Sequence, residues 1–444
     1  MIGSGIFIVS ADIARQVGAP GWLLVVWGLS ALMTIIGALS YGELAAMMPH
    51  AGGQYVYLRE AYGPLAGFLY GWTLFLVIQT GTIAAVAVAF AKFTAAVLPM
   101  FDAIFHIGPV AVSAQQCLAI VVTALLTAAN CNGLHTGRWV QNVFTATKVG
   151  ALLALILFGV LAGRNATAIH ANFGNFWGTA PFSAALLPLV GAAMVGALFS
   201  SDAWNNITFA AAEVRDPART VPRSLMIGTS LVSALYLAAN FVYLGALPLV
   251  GEAGAATPLA RGIQFAASDR VATAAVEVTL GQAGALLMAV AIMISTFGCV
   301  NGLVLAGARV YYAMAQDGLF FPVAAFLNTR RVPAAALVLQ GIWAALLTLS
   351  GTYGDLLDYV IFAALLFYLL TVGAVFVLRR TAANVARPYR AVGFPFVPAA
   401  YIVLAALIMV DLLVVKPRYT WPGLLIVASG VPVFYWWRRR APQA

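Results

Sequence analysis

Apolar runs of eighteen or more residues recur from one end of this 444-residue chain to the other. Each is long enough to cross a hydrocarbon core of about 30 Å as a helix. In hydrocarbon the backbone must satisfy its own polar groups, so a chain built of such runs folds into a bundle of spanning helices. Charged residues make up only 8% of the chain, against about 25% in soluble domains, and the mean hydropathy is +0.96. The fold class is therefore an all-α polytopic membrane protein.

Charged residues and Pro/Gly breaks place spans at 22–48, 64–98, 116–133, 138–163, 186–212, 222–250, 278–316, 333–350, 356–378, 396–415 and 421–437, after an opening fragment at 1–14. Counting the fragment gives twelve crossings. The loops are short, so residues 1–444 read as a single integral membrane domain with no soluble module. The net charge of +9 is scattered among those loops, a pattern that reports topology rather than nucleic-acid binding. When the loops after even-numbered spans and the C-terminus share one side, that side holds fifteen Lys and Arg and the other six, with Lys92 and Lys148 inside spans. The richer side is expected to be cytoplasmic. The ending FYWWRRR fits an interfacial aromatic belt followed by a basic stop. This predicts a multi-pass protein of the plasma (inner) membrane with a cytoplasmic C-terminus. No cleavable signal peptide precedes the first apolar run.

Two spans are interrupted by polar residues, GSGIF at 3–7 and FSSDAW at 199–204. Span 3 runs uncharged from Pro64 to Ala91 and span 8 from Val278 to Ala308. Both exceed the core thickness and are expected to tilt. Each is the third span counted from an interrupted one. The interruptions lie five spans apart, an odd number, so two halves built on them run in opposite senses. Paired broken helices in inverted repeats point to a transporter site at the membrane midplane, although Gly/Ser patches also serve plain helix packing.

At the first break, glycines let the backbone leave the helix and free amide N–H groups that hydrocarbon cannot satisfy. The half-helix from about Ile6 points its positive end at the gap, a setting suited to a substrate carboxylate. The stretch Ile2, Gly3, Ser4, Gly5 and Ile6 is thus a candidate anion site. Unwinding around Ser200, Ser201 and Asp202 releases carbonyls that can accept from an ammonium. Asp202 either binds a cationic group or caps the half-helix that follows. Phe199 is a candidate lid or a plain packing ring. Lys148 lies about ten residues into span 5, too deep for easy snorkelling. It is a fixed charge in place of a cation, a proton carrier, or a structural ion-pair partner. Glu43 and Asp411 lie towards span ends and receive no role.

Enzymatic readings find little support. The four histidines (His50, His106, His135 and His170) are dispersed without metal-ligand spacing, and no phosphate-cradling Gly-rich loop appears. Neither a metal nor another cofactor is expected. Cys117, Cys131 and Cys299 read as small packing residues.

The blocks MIGSGIF, ALSYGELAAMMPHAGGQYVYLREAYGPLAGFLYGW, QNVFTATKVGALLALILFG, FSSDAWNNITFAAAEVRDPARTVPRSL and NGLVLAGARVYYAMAQDGLFF stand in order over residues 1 to 321. Together they resemble the amino acid–polyamine–organocation transporters, in particular bacterial members of the L-amino-acid-transporter type. The resemblance implies a leucine-transporter-type core of five plus five inverted spans, with spans 1 and 6 unwound and two accessory helices. It divides the chain into repeats at 1–163 and 186–380 and accessory spans at 396–437. It implies that Gly3, Ser4 and Gly5 hold the substrate carboxylate, and that Phe199, Ser200 and Ser201 bind the amino group and gate the outer side. It further implies that Lys148 takes the place of a sodium ion, with Ser295 near that place. Where the family carries Gly before the span-6 tryptophan, this chain has Ala203, whose methyl narrows the pocket in favour of small side chains.

Family members also carry a cytoplasmic tail and half-helix before this point, and a helix over 1–14 is only about 21 Å long. The first span is therefore expected to be truncated at its N-terminal half. The implied function is sodium-independent exchange of small or neutral L-amino acids by alternating access. A cationic amino acid or polyamine antiporter is the alternative in the same class, and a transporter-like amino acid sensor the alternative from another. The expected partners are the amino acid substrate and the lipid bilayer, with no nucleic acid. Residues 99–115 contain no cysteine, so no disulfide-linked ancillary subunit is expected.

Overall fold

The computed structural model describes residues 1–107, 110–178, 184–350 and 353–440. The tail after Arg440, and the side chains of 134–141 and 440, including Arg138 and His135, lie outside the described residues. The chain opens with α1 (Gly5–Ile8), α2 (Ser10–Val17), α3 (Pro20–Met47), α4 (Gln54–Tyr62), α5 (Pro64–Thr73) and α6 (Gln79–Val97). It continues with α7 (Ala114–Cys131), α8 (Leu134–Leu161), α9 (Ala166–Gly174), α10 (Leu186–Ser201), α11 (Pro217–Ala246) and α12 (Pro258–Arg261). The last elements are α13 (Val271–Gln316), α14 (Ala334–Thr348), α15 (Tyr353–Thr381), α16 (Phe396–Val415) and α17 (Pro417–Arg440). Among the described residues, nine helices are long and apolar enough to cross a membrane, and Ala334–Thr348 is a shorter apolar one.

The packing has a regular plan. α3 packs most extensively on α11, α6 on α13, α7 on α14, and the opening pair α1–α2 on α10. Each of the first four spans thus leans on the span five places later.

Several expectations change. The opening helix runs on to Val17, beyond the expected end at residue 14. Arg15, expected just past the end of the fragment, sits with Asp12 on the outward face of a helix whose apolar side is buried. The long spans 3 and 8 are not uniform rods. A five-residue stretch at Leu74–Ile78 is wound in the wider π form between α5 and α6. α13 begins seven residues earlier than its uncharged run and breaks at Gly281, whose φ is 63°. The all-α reading also needs one amendment. Within 99–115, Ile104–Ile107 pairs antiparallel with Val110–Ser113, two short segments rich in β-branched and aromatic residues that suit a half-exposed ribbon.

The second break is shifted as well. Phe199, Ser200 and Ser201 remain in the last turn of α10, and the chain turns at Asp202 (ψ 175°) and Ala203 (φ 62°). A tight helical segment, Trp204–Glu213, then leads towards α11. The backbone leaves the helix only at these two residues because Ser200 and Ser201 keep their helical bonding, with the Ser200 hydroxyl also donating to the Gly196 carbonyl at 2.8 Å.

Candidate functional site

The two breaks meet. α1 begins at Gly5, directly after the non-helical Gly3–Ser4 pair, and Ser4 O accepts the first helical bond from Phe7 N at 3.1 Å. Gly5 presses on the end of α10 so closely that a Cβ there would lie 2.1 Å from Ser200 Oγ and 2.7 Å from Ser200 Cα. Only glycine allows that approach. Gly3 faces α13, where its Cβ would stand 3.0 Å from Cys299 Sγ.

The carbonyls freed by the breaks are met by α11. Tyr236 Oη donates towards Met1 O at 3.1 Å and Ser200 O at 3.0 Å, and Tyr243 Oη reaches Ile6 O at 3.3 Å. Asn240, between them, accepts from Ser10 Oγ at 2.7 Å. These three residues stand at i, i+4 and i+7, one stripe of a helix. Their polar stripe in an otherwise apolar span was the available signal that sequence reading passed over.

Over the site sits a pair of rings. Tyr353, at the start of α15, lies edge-on to Phe199 with centroids 6.0 Å apart, and its hydroxyl is 3.0 Å from Ser4 Oγ. Beyond this pair opens a cavity of about 390 Å³, lined by Ile8, Val9, Gly196, Tyr353 and Leu357 and rimmed by charge. Its rim is tied by Arg15 to Asp269 at 2.7 Å and by Lys416 to Asp358 at 2.8 Å. A second cavity, about 780 Å³, opens at the opposite helix ends between α3, α4, α13 and α15. There Tyr55 Oη donates to Asp317 at 2.7 Å. Burial, and then that carboxylate, hold the phenol above its ordinary range.

Asp202 does not turn to the gap between the breaks. Its Oδ1 accepts from Tyr368 Oη at 2.5 Å, and Tyr368 belongs to α15. Its carboxylate also accepts from the backbone of Ala203, the residue at which the chain turns into Trp204–Glu213. The same polar cluster continues through Asn205 Nδ2 to Gln54 Oε1 at 2.9 Å and Gln54 Nε2 to Thr371 Oγ1 at 3.0 Å. Asp202 thus joins α10 to α15 and α4.

Lys148 is 9% exposed on α8. Among the described residues no ion pair reaches it. It shares a helix face with Phe144, which packs on Gly298 of α13. Ser295, one turn earlier on α13, is fully buried with an unpartnered hydroxyl.

Glu43, given no role above, is a clamp. It is 1% exposed and accepts from Arg379 at 2.9 and 2.6 Å and from the Ala391 amide at 2.7 Å, with Arg387 3.4 Å away. A carboxylate buried this deeply is held by charge and hydrogen bonds together. Its partners lie more than 300 residues away, out of reach of any local reading. Among the described residues, no group of three or more potential metal ligands occurs.

Comparison with known proteins agrees with the broken-helix architecture. The sequence model of a family described as amino acid permease matches residues 1–434. The large neutral amino acids transporter small subunit 2 of Mus musculus is 31% identical over 442 residues, covering 98% of this chain and 78% of the relative. The b(0,+)-type amino acid transporter 1 of Homo sapiens is 30% identical over an alignment of 449 residues, covering 98% and 84%. A helix start at Gly5 pressed on the interrupted end of α10, carbonyls there met by tyrosines, and a match over nearly the whole length lead to one conclusion. The chain belongs to the amino acid permease family of the amino acid–polyamine–organocation superfamily, and it is a membrane transporter, not an enzyme.

Proposed function

We propose that this transporter exchanges small or neutral L-amino acids across the plasma (inner) membrane without sodium, by alternating access. The observation that carries this reading is the junction of Gly3–Ile6 with Phe199–Ser201. The amide end of a helix start there adjoins the carbonyl end of α10, opposite polarities that suit the carboxylate and ammonium of an α-amino acid. The pairing of each early span with the span five places later supports an inverted five-plus-five core, 1–163 and 186–380, with 396–437 accessory. Lys148, buried with no carboxylate partner among the described residues, fits the place of a coupling cation, and the unpartnered hydroxyl of buried Ser295 on α13 suits a role near that place. The name of the mouse relative, a transporter of large neutral amino acids, supports a zwitterionic substrate. The cationic-substrate alternative loses ground because Tyr368 already occupies the Asp202 carboxylate.

The test is counterflow in proteoliposomes. Labelled amino acid should enter only when unlabelled amino acid is inside, equally with sodium or choline outside. Sodium-driven uptake into empty vesicles would sink the proposal, and binding without uptake would favour a sensor. Inhibition by lysine or putrescine that disappears in Asp202→Asn would favour the cationic reading.

A further inference from the structure

We propose that Tyr353 is the latch of the substrate site on the side of the charged cavity: its hydroxyl holds Ser4 and must release it before a carboxylate can bind there. The proposal rests on the reading that Ser4 helps to hold the substrate carboxylate.

Three observations meet at this one side chain. Ser4 is 1% exposed and its hydroxyl has Tyr353 Oη at 3.0 Å. The Tyr353 ring stands edge-on to Phe199, 6.0 Å between centroids, so the two rings together cover the junction of the breaks. Tyr353 also belongs to the wall of the 390 Å³ cavity. One side chain therefore faces the cavity, closes on the lid residue of α10 and engages the hydroxyl of the first break. A carboxylate arriving from the cavity cannot reach Ser4 unless the phenol moves.

The contact also sets an energetic condition. Tyr353 is carried by α15 and Ser4 by the opening segment, so their hydrogen bond joins two separate elements. A buried neutral hydrogen bond shifts an equilibrium by about two- to tenfold. Apparent affinity falls by the fraction of molecules in the closed form, so removing the latch raises it. Tyr353→Phe keeps the ring against Phe199 and deletes only the hydroxyl. Tyr353→Ala also removes the ring.

The experiment is a cycle of Ser4→Ala, Tyr353→Phe and the double variant, with KM and kcat for exchange measured in proteoliposomes. Tyr353→Phe should lower KM about threefold, Ser4→Ala should raise it, and Tyr353→Phe should add nothing once Ser4 is gone. A Tyr353→Phe effect of equal size with and without the Ser4 hydroxyl overturns the latch and leaves the site reading standing, as does a rise in KM. Ser4→Ala removes the latch together with the carboxylate contact, so a KM for the double variant at or below that of Tyr353→Phe overturns the carboxylate reading of Ser4, and the latch with it.

Cys299 supplies a readout independent of transport, because it lies against Gly3 just beneath the latch and is a free thiol. With Cys117 and Cys131 replaced by Ser, an impermeant methanethiosulfonate added on the cavity side should label Cys299 about threefold faster in Tyr353→Phe, and faster still in Tyr353→Ala. Saturating amino acid should slow labelling in every variant that retains Ser4. Labelling rates equal to wild type in both Tyr353 variants overturn the proposal.

Discussion

The two breaks do the same work with different chemistry. The first is made by subtraction: Gly3 and Gly5 carry no side chain, so the backbone can press against Cys299 and Ser200. The second is made by conformation: Asp202 is extended and Ala203 is held at φ 62°, a region that costs an L-residue with a Cβ roughly 1–2 kcal/mol. The first break is therefore intolerant of added atoms, while the second has strain to lose. Their partners differ too. Ser4 turns towards the cavity side and Tyr353, whereas Asp202 turns away and bonds Tyr368. Both tyrosines belong to α15, so one helix reads the state of both breaks.

The largest blow to this comparison is Gly5→Ala. Its Cβ would overlap the Ser200 backbone as well as the hydroxyl, and overpacking of this kind costs about 1–3 kcal/mol. Exchange should fall below about a tenth of wild type, with a lower Tm in detergent by a dye-based melt. A variant that transports normally would show that the breaks separate in the working protein. Next in size is Lys148→Ala, expected to reduce exchange at least about tenfold while size-exclusion profiles stay unchanged, since an intramembrane lysine without an ion pair serves function more readily than folding. Unchanged kinetics would make it a packing residue.

Tyr236→Phe sharpens the comparison because its hydroxyl serves Met1 O and Ser200 O at once. Leaving buried carbonyls unmet costs about 1–3 kcal/mol, so Tm should drop by a few degrees. The smallest expected effect has the opposite sign. Ala203→Gly relieves the left-handed alanine and should stabilise by about 0.5 kcal/mol, after the extra entropy that glycine gives the unfolded chain is subtracted. A fall in Tm would mean the methyl packs productively against the site. If it instead narrows the pocket, the glycine variant should accept bulkier amino acids in a competition panel.

Much of this was legible in one dimension. The order of spans, the positions of the breaks to within a few residues and the intramembrane Lys148 all follow from local signals: runs of apolar residues, Gly/Ser clusters, and a charge where charges are rare. The exact turn of the second break was not, because Ser200 and Ser201 have weak preferences and their helical bonding was decided by the surrounding packing. The pairing of Ile104–Ile107 with Val110–Ser113 was hidden inside a stretch read only as loop. Asp202 was legible as a buried acid but not in its direction, and Glu43 was given no role because it lies towards a span end, while the partners that bury it come from far along the chain.

The sequence by itself determined that this protein lives in a bilayer and that two of its helices must break, because hydropathy and glycine content act residue by residue along the chain. Only the tertiary structure decided what each break faces. Tyr236, Tyr353, Tyr368, Cys299 and Arg379 reach their partners across 36 to 349 positions. Which face of an apolar helix turns to which neighbour is set by packing among spans that all look alike to water.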